Sequence, residues 1–133
     1  MTRKAIACAV LMAAGVFAQT PSPDFEFFKT KVQPIFLAKR PGHARCYACH
    51  SQGTPFRLER LSPDAKTWND EQSRRNFDAT LHFIKAGDVK GSPLLTHPLT
   101  PEAGGDDFHS GGKHWNSQSD PEWQALAKWV RGQ

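Results

Sequence analysis

Cys46, Cys49 and His50 stand together in the run Cys46-Tyr47-Ala48-Cys49-His50, and three kinds of chemistry use such a group. Two thiols three residues apart share one side of a helical turn. There each can add to one vinyl group of a haem while the next imidazole turns under the iron. The same residues otherwise serve as half of a zinc site or as a redox dithiol. A zinc site wants a second pair of ligands at compact spacing, and the only further cysteine is Cys8, near the start of the chain. A thioredoxin-like dithiol follows a strand of a βαβ unit, and no alternating strand pattern precedes Cys46. The residues therefore predict one covalent haem c, with Cys46 and Cys49 as attachment points and His50 as proximal ligand to its iron.

The start of the chain bears on that choice. Thr2-Arg3-Lys4 is a short basic opening, Ala5 to Val16 an apolar run, and Val16-Phe17-Ala18 a run of small or apolar residues suited to peptidase recognition. This pattern predicts a secretory signal peptide over 1–18, with cleavage after Ala18 and a single domain over 19–133. The apolar run is shorter than the roughly 20 residues a membrane-crossing helix needs, and nothing downstream comes closer. Cys8 falls in the predicted leader. The mature chain would then hold two cysteines only, in an oxidising periplasmic or extracellular compartment where paired thiols become a disulfide, a metal pair or a cofactor attachment.

The elements that must position the motif read as helices. Phe25, Phe28, Val32, Ile35 and Phe36 fall on one stripe of a helix over 24–39, which Pro34 should kink or break near Gln33. Pro41 and Gly42 mark a loop before the cysteines, and 51–62 looks irregular. Ser62-Pro63 predicts a short helix by its capping serine and first-position proline. Phe77, Leu81 and Ile84 predict a helix over 73–86, stopped by Gly87. Residues 87–119, rich in glycine and proline, predict a long loop region, a feature that in a small domain usually carries function or stays disordered. Asp120 as cap, Pro121 behind it and Trp123, Leu126, Ala127 and Val130 on one face predict the last helix. The expected fold is all-α, a small helical domain wrapped around its haem.

That order of features resembles small mono-haem c-type cytochrome domains, class I-like and of the planctomycete and acidobacterial type. The likeness rests on Val32-Gln33-Pro34-Ile35-Phe36, then Cys46 to His50, then Phe77, Leu81, Ile84-Lys85-Ala86-Gly87-Asp88 and Ser92-Pro93-Leu94-Leu95, then a glycine-rich loop and a tryptophan-bearing last helix. It spans nearly all of the predicted mature chain. It implies a distal iron ligand from the loop before the last helix, a methionine in most such domains. This chain departs there, since its only methionines, Met1 and Met12, lie in the predicted leader. His109, in Phe108-His109-Ser110-Gly111-Gly112-Lys113, stands within about one residue of where the resemblance places that methionine, and its glycines let the backbone approach a flat ring. His114 and His97 are the alternatives. His82 and His43 read as surface or loop residues, and Arg45, Arg57, Lys113 and Trp115 as residues that would hold haem propionates.

Charge narrows the partners. The full chain carries +4, and loss of Arg3 and Lys4 would leave 15 basic against 13 acidic residues, a balance two propionates would cancel. No basic run interleaved with aromatics survives past residue 18, which argues against nucleic acid. Lys39-Arg40 and Arg74-Arg75 read as solvated surface. The expected activity is one-electron transfer to redox partner proteins through a bis-histidine haem, without enzyme chemistry of its own. The other reading is a haem sensor or gas-binding module whose sixth position is open or displaceable. The sequence leaves the oligomeric state and the identity of the partners open.

Overall fold

The computed structural model describes residues 19–133, so the predicted signal peptide over 1–18, with Cys8, Met1 and Met12, lies outside the described residues. Within them the chain is helical, with isolated bridges such as Leu99–Trp115 and no sheet. No helix among the described residues is long and apolar enough to cross a membrane.

The first helix, α1, runs continuously over 25–37 and begins where the Asp24 carboxylate accepts the Phe27 amide at 2.6 Å. The interruption expected at Pro34 takes the form of a π turn over Phe28–Val32, closed by the Gln33 N–H donating to the Phe28 carbonyl. An i→i+5 turn widens the helix just before the residue that has no N–H to give, and Gln33–Leu37 then continues as α-helix. α2 is the single turn Cys46–His50, α3 spans Asp70–Leu81, α4 is the short Pro93–Thr96, and α5 spans Pro121–Val130.

α1 and α5 make the centre of the core. Phe28, Val32, Ile35 and Phe36 of α1 and Trp123, Leu126, Ala127, Trp129 and Val130 of α5 are buried. Phe28 meets Trp129 at 5.3 Å between ring centres and Phe77 edge-on at 5.4 Å. Each such side chain contributes roughly 2–3 kcal/mol by leaving water. The indole N–H groups are matched as well: Trp129 donates to the Asp24 carbonyl at 2.8 Å and Trp123 to the Leu95 carbonyl at 3.1 Å.

Three sequence expectations change here. Ser62-Pro63 opens a tight turn instead of a helix: the Ala65 amide closes onto the Ser62 carbonyl and Asp64 takes a left-handed φ of 61°. α3 starts three residues earlier than predicted, because Asn69 and Gln72 form a reciprocal capping box at its start. It also ends at Leu81, well short of Gly87. Ser92 Oγ takes the Lys85 amide at 2.9 Å and donates to the Asp88 carbonyl at 2.7 Å, which gives 82–88 a turn in place of further helix. The half-buried Phe77 and Leu81 of α3 pack on the core as expected, and beside them α3 buries a polar face as well. Gln72, Ser73, Asn76 and Thr80 are buried, Gln33 of α1 bonds both Ser73 (3.0 Å) and Asn76 (3.2 Å), and Asn76 Oδ1 takes the Glu59 amide at 2.7 Å. A buried network with its members paired fixes register where apolar contact alone would allow sliding.

Candidate functional site

α2 is held from its middle. Tyr47 packs its ring against Trp68 at 5.8 Å, and its hydroxyl accepts the Leu61 amide at 3.1 Å. This leaves the two cysteines and His50 on the rest of the turn. Cys46 is half-buried and Cys49 exposed, and both are free thiols. Burial pushes the Cys46 thiol up to about 11, the reverse of the depressed value a redox-active or metal-bound thiolate shows.

His50 is oriented through its inner nitrogen. Nδ1 lies 2.7 Å from the Phe56 carbonyl and 3.0 Å from Thr54 Oγ1, while the Leu58 amide donates to the His50 carbonyl at 2.7 Å. A carbonyl accepts only, so Nδ1 carries the proton and Nε2 presents its lone pair outward. Burial lowers the His50 pKa against the opposing effect of the Phe56 carbonyl, and nearby His109 lowers it further. Phe56 also packs on the His50 ring at 4.8 Å and on Phe36 at 5.7 Å, joining the site to the core.

Opposite stands His109. Its ring centre is 6.1 Å from that of His50 and the two planes are inclined by 25°. His109 Nδ1 bonds the Gly112 carbonyl, across a turn closed by the Gly112 amide on the His109 carbonyl at 3.2 Å. Gly112 holds a φ of 85°, a conformation that favours glycine. Both imidazoles thus spend Nδ1 on a backbone carbonyl and keep Nε2 free.

The other histidines sit in different surroundings. His97 Nδ1 bonds the Asp106 carboxylate at 2.7 Å. His114 is buried against Trp115 and His43, with its Nε2 at 3.6 Å from Glu122, too long for a hydrogen bond. His82 and His43 are exposed, as expected. Of the residues expected to hold propionates, Trp115 is buried and its indole faces Glu122 at 3.3 Å, and Lys113 donates to the His97 and Asp106 carbonyls. Arg45 is half-buried near the Tyr47 ring and Arg57 is exposed. Arg74 stacks on Phe25 and Arg75 pairs with Glu59 and Glu71.

Arg40 is not the solvated residue the sequence suggested. It pairs with Asp120 at 2.6 Å and Glu122 at 3.4 Å and donates to the His114 carbonyl at 3.1 Å, tying the loop before α2 to the start of α5. Burial alone would raise the Asp120 carboxyl, but Arg40 and the Glu122 amide hold it below the usual carboxylate range. The stability it contributes is therefore present above the ordinary carboxylate pKa and lost as pH falls through the depressed folded value. Asp120→Asn keeps the helix cap and removes the charge. It is expected to cost about 1–2 kcal/mol at neutral pH, with the difference from the parent closing in acid, in thermal melts across pH.

Comparison with protein-family models, with curated proteins and with solved structures returns no match. Among the described residues no three His, Cys, Asp or Glu side chains cluster as a bare ion would require. The two near-parallel imidazoles, 6.1 Å apart between ring centres and each with Nδ1 on a backbone carbonyl, are the side chains that would hold a metal whose remaining ligands came from a macrocycle.

Proposed function

We propose that this chain is an exported mono-haem c-type cytochrome that transfers single electrons, with Cys46 and Cys49 as attachment points, His50 as proximal ligand and His109 as distal ligand. The observation that carries the reading is the facing pair of imidazoles, each fixed at Nδ1 by a carbonyl, beside two free thiols one helical turn apart. When bound, the haem supplies a ferric/ferrous couple. The chain's own residues do the rest. Phe56 and Gly112 fix the tautomer and bearing of each ligand, which raises ligand basicity and limits movement between oxidation states. Phe36, Phe56 and Phe83 exclude water from the proximal side. Histidine in place of methionine favours a lower potential at equal burial. Its partners are redox proteins, and the chain itself is no enzyme.

A second reading, a sensor or gas-binding module, draws support from the exposed setting of His109: Phe108, Ser110, Gly111 and Gly112 all face solvent. Mass spectrometry with absorption and resonance Raman spectra of the holoprotein tests both. One covalent haem, a low-spin ferric state and no methionine–iron charge-transfer band are expected. A colourless chain at its apo mass would overturn the proposal, and rapid carbon monoxide binding by the reduced protein would favour the sensor.

A further inference from the structure

The loop that carries His109 is pinned at both ends. On the way in, the Asp106 amide donates to the Thr96 carbonyl at 3.1 Å and the Gly105 amide to the Thr100 carbonyl at 3.0 Å. The approach is so close that a Cβ on Gly105 would lie 1.9 Å from the Leu99 carbonyl oxygen. On the way out, the His114 and Trp115 amides both donate to the Pro98 carbonyl, at 2.6 and 3.1 Å. Between these pins, residues 107–113 form an excursion with His109 near its tip.

Three side chains close the base of that excursion. His97 Nδ1 donates to the Asp106 carboxylate, which also accepts the Phe108 amide at 3.0 Å. Lys113 Nζ reaches back from the other leg to the carbonyls of His97 (2.8 Å) and Asp106. Charge-assisted bonds are the strong ones, and these join the segment before the excursion to both of its legs. Among the described residues none of these three side chains hydrogen-bonds to His50 or the cysteines; their partners are one another and the loop backbone.

We propose that His97, Asp106 and Lys113 are positioning residues for His109, a clamp that holds its imidazole facing His50. The inference rests on the reading of His109 as distal ligand. With the clamp weakened, His109 leaves the iron more often and a small neutral ligand gains entry; carbon monoxide is the probe. The holoproteins of the parent, His97→Leu, His97→Asn and Lys113→Met are compared by carbon monoxide binding rate in the reduced state, ferric spin state and hydrogen exchange over 107–113.

His97→Leu and Lys113→Met are expected to bind carbon monoxide about tenfold faster or more, the order set by losing one hydrogen bond to a charged group, with faster exchange confined to the excursion. His97→Asn, whose side-chain amide can replace Nδ1, is expected to restore the parent rate. In a His109→Ala background the same substitutions should change nothing. Should His97→Leu fail to fold, Lys113→Met decides alone. Rates within about twofold of the parent in a low-spin, haem-loaded protein would overturn the clamp. A parent without haem would overturn the functional reading instead.

Discussion

On the proposed reading, replacing both motif thiols, Cys46→Ala with Cys49→Ala, is expected to yield a chain at its apo mass that loses any haem on denaturing extraction, whereas the parent retains it. The two thiols are not equivalent. Cys46 faces inward, close enough to feel Arg40 and Glu122, while Cys49 is exposed. A single Cys49→Ala substitution therefore leaves the better-enclosed attachment intact and should still give a coloured protein with one thioether. Cys46→Ala should give lower yield. Loss of both bonds turns an intramolecular ligand into a free one, so retention then depends on haem concentration and on two imidazoles alone. Mass spectrometry before and after acid–organic extraction reads the outcome directly. A double variant that kept its haem through extraction would sink the assignment of these thiols.

The parts of this molecule that the sequence made legible are those whose signal is local. The last helix is written in Asp120, Pro121 and its apolar stripe, and the structure has it as Pro121–Val130 with that cap formed. The motif at 46–50 declared both its residues and its helical turn. What escaped was decided by distant partners. On α3 Phe77 and Leu81 pack on the core as their spacing suggests, yet the polar face beside them is buried more deeply, because Gln33 on α1 and the Glu59 backbone satisfy it. Burial of Asn76 cannot be foreseen without knowing that an amide stands opposite. Phe56 and Thr54, which aim His50, went unseen for a related reason: the working group is a backbone carbonyl, which no residue type announces. Arg40 looked like surface until α5 brought Asp120 and Glu122 to it. Spacing alone also left three histidines in contention opposite His50. What spacing does not show is that His109 stands 6.1 Å from His50 between ring centres, with its Nδ1 on the Gly112 carbonyl.

That distinction has a direct consequence for ligation. His109→Ala is expected to convert the ferric protein from low spin to high spin, and to let the reduced protein bind carbon monoxide at once. His97 is committed to Asp106, whereas His114, buried against Trp115 and His43, keeps an Nε2 without a hydrogen-bond partner. His114→Phe tests that rival directly and, with His109 as the ligand, should leave the low-spin spectrum unchanged. His97→Leu should speed ligand entry and leave the resting spin state low, because it acts on the loop and spares the imidazole. His109→Met asks the converse question. A thioether stabilises ferrous iron relative to imidazole, so the midpoint potential should rise by a sizeable part of the roughly 0.8 V that axial ligation spans among haem proteins, and a methionine–iron charge-transfer band should appear. The Gly112 carbonyl loses its donor in that variant, so part of the loop's order is lost with it, and the rise in potential should come with faster hydrogen exchange over 107–113. A His109→Ala protein that stayed low spin would move the distal ligand to another side chain, and the 6.1 Å between the two facing rings would then need a different explanation.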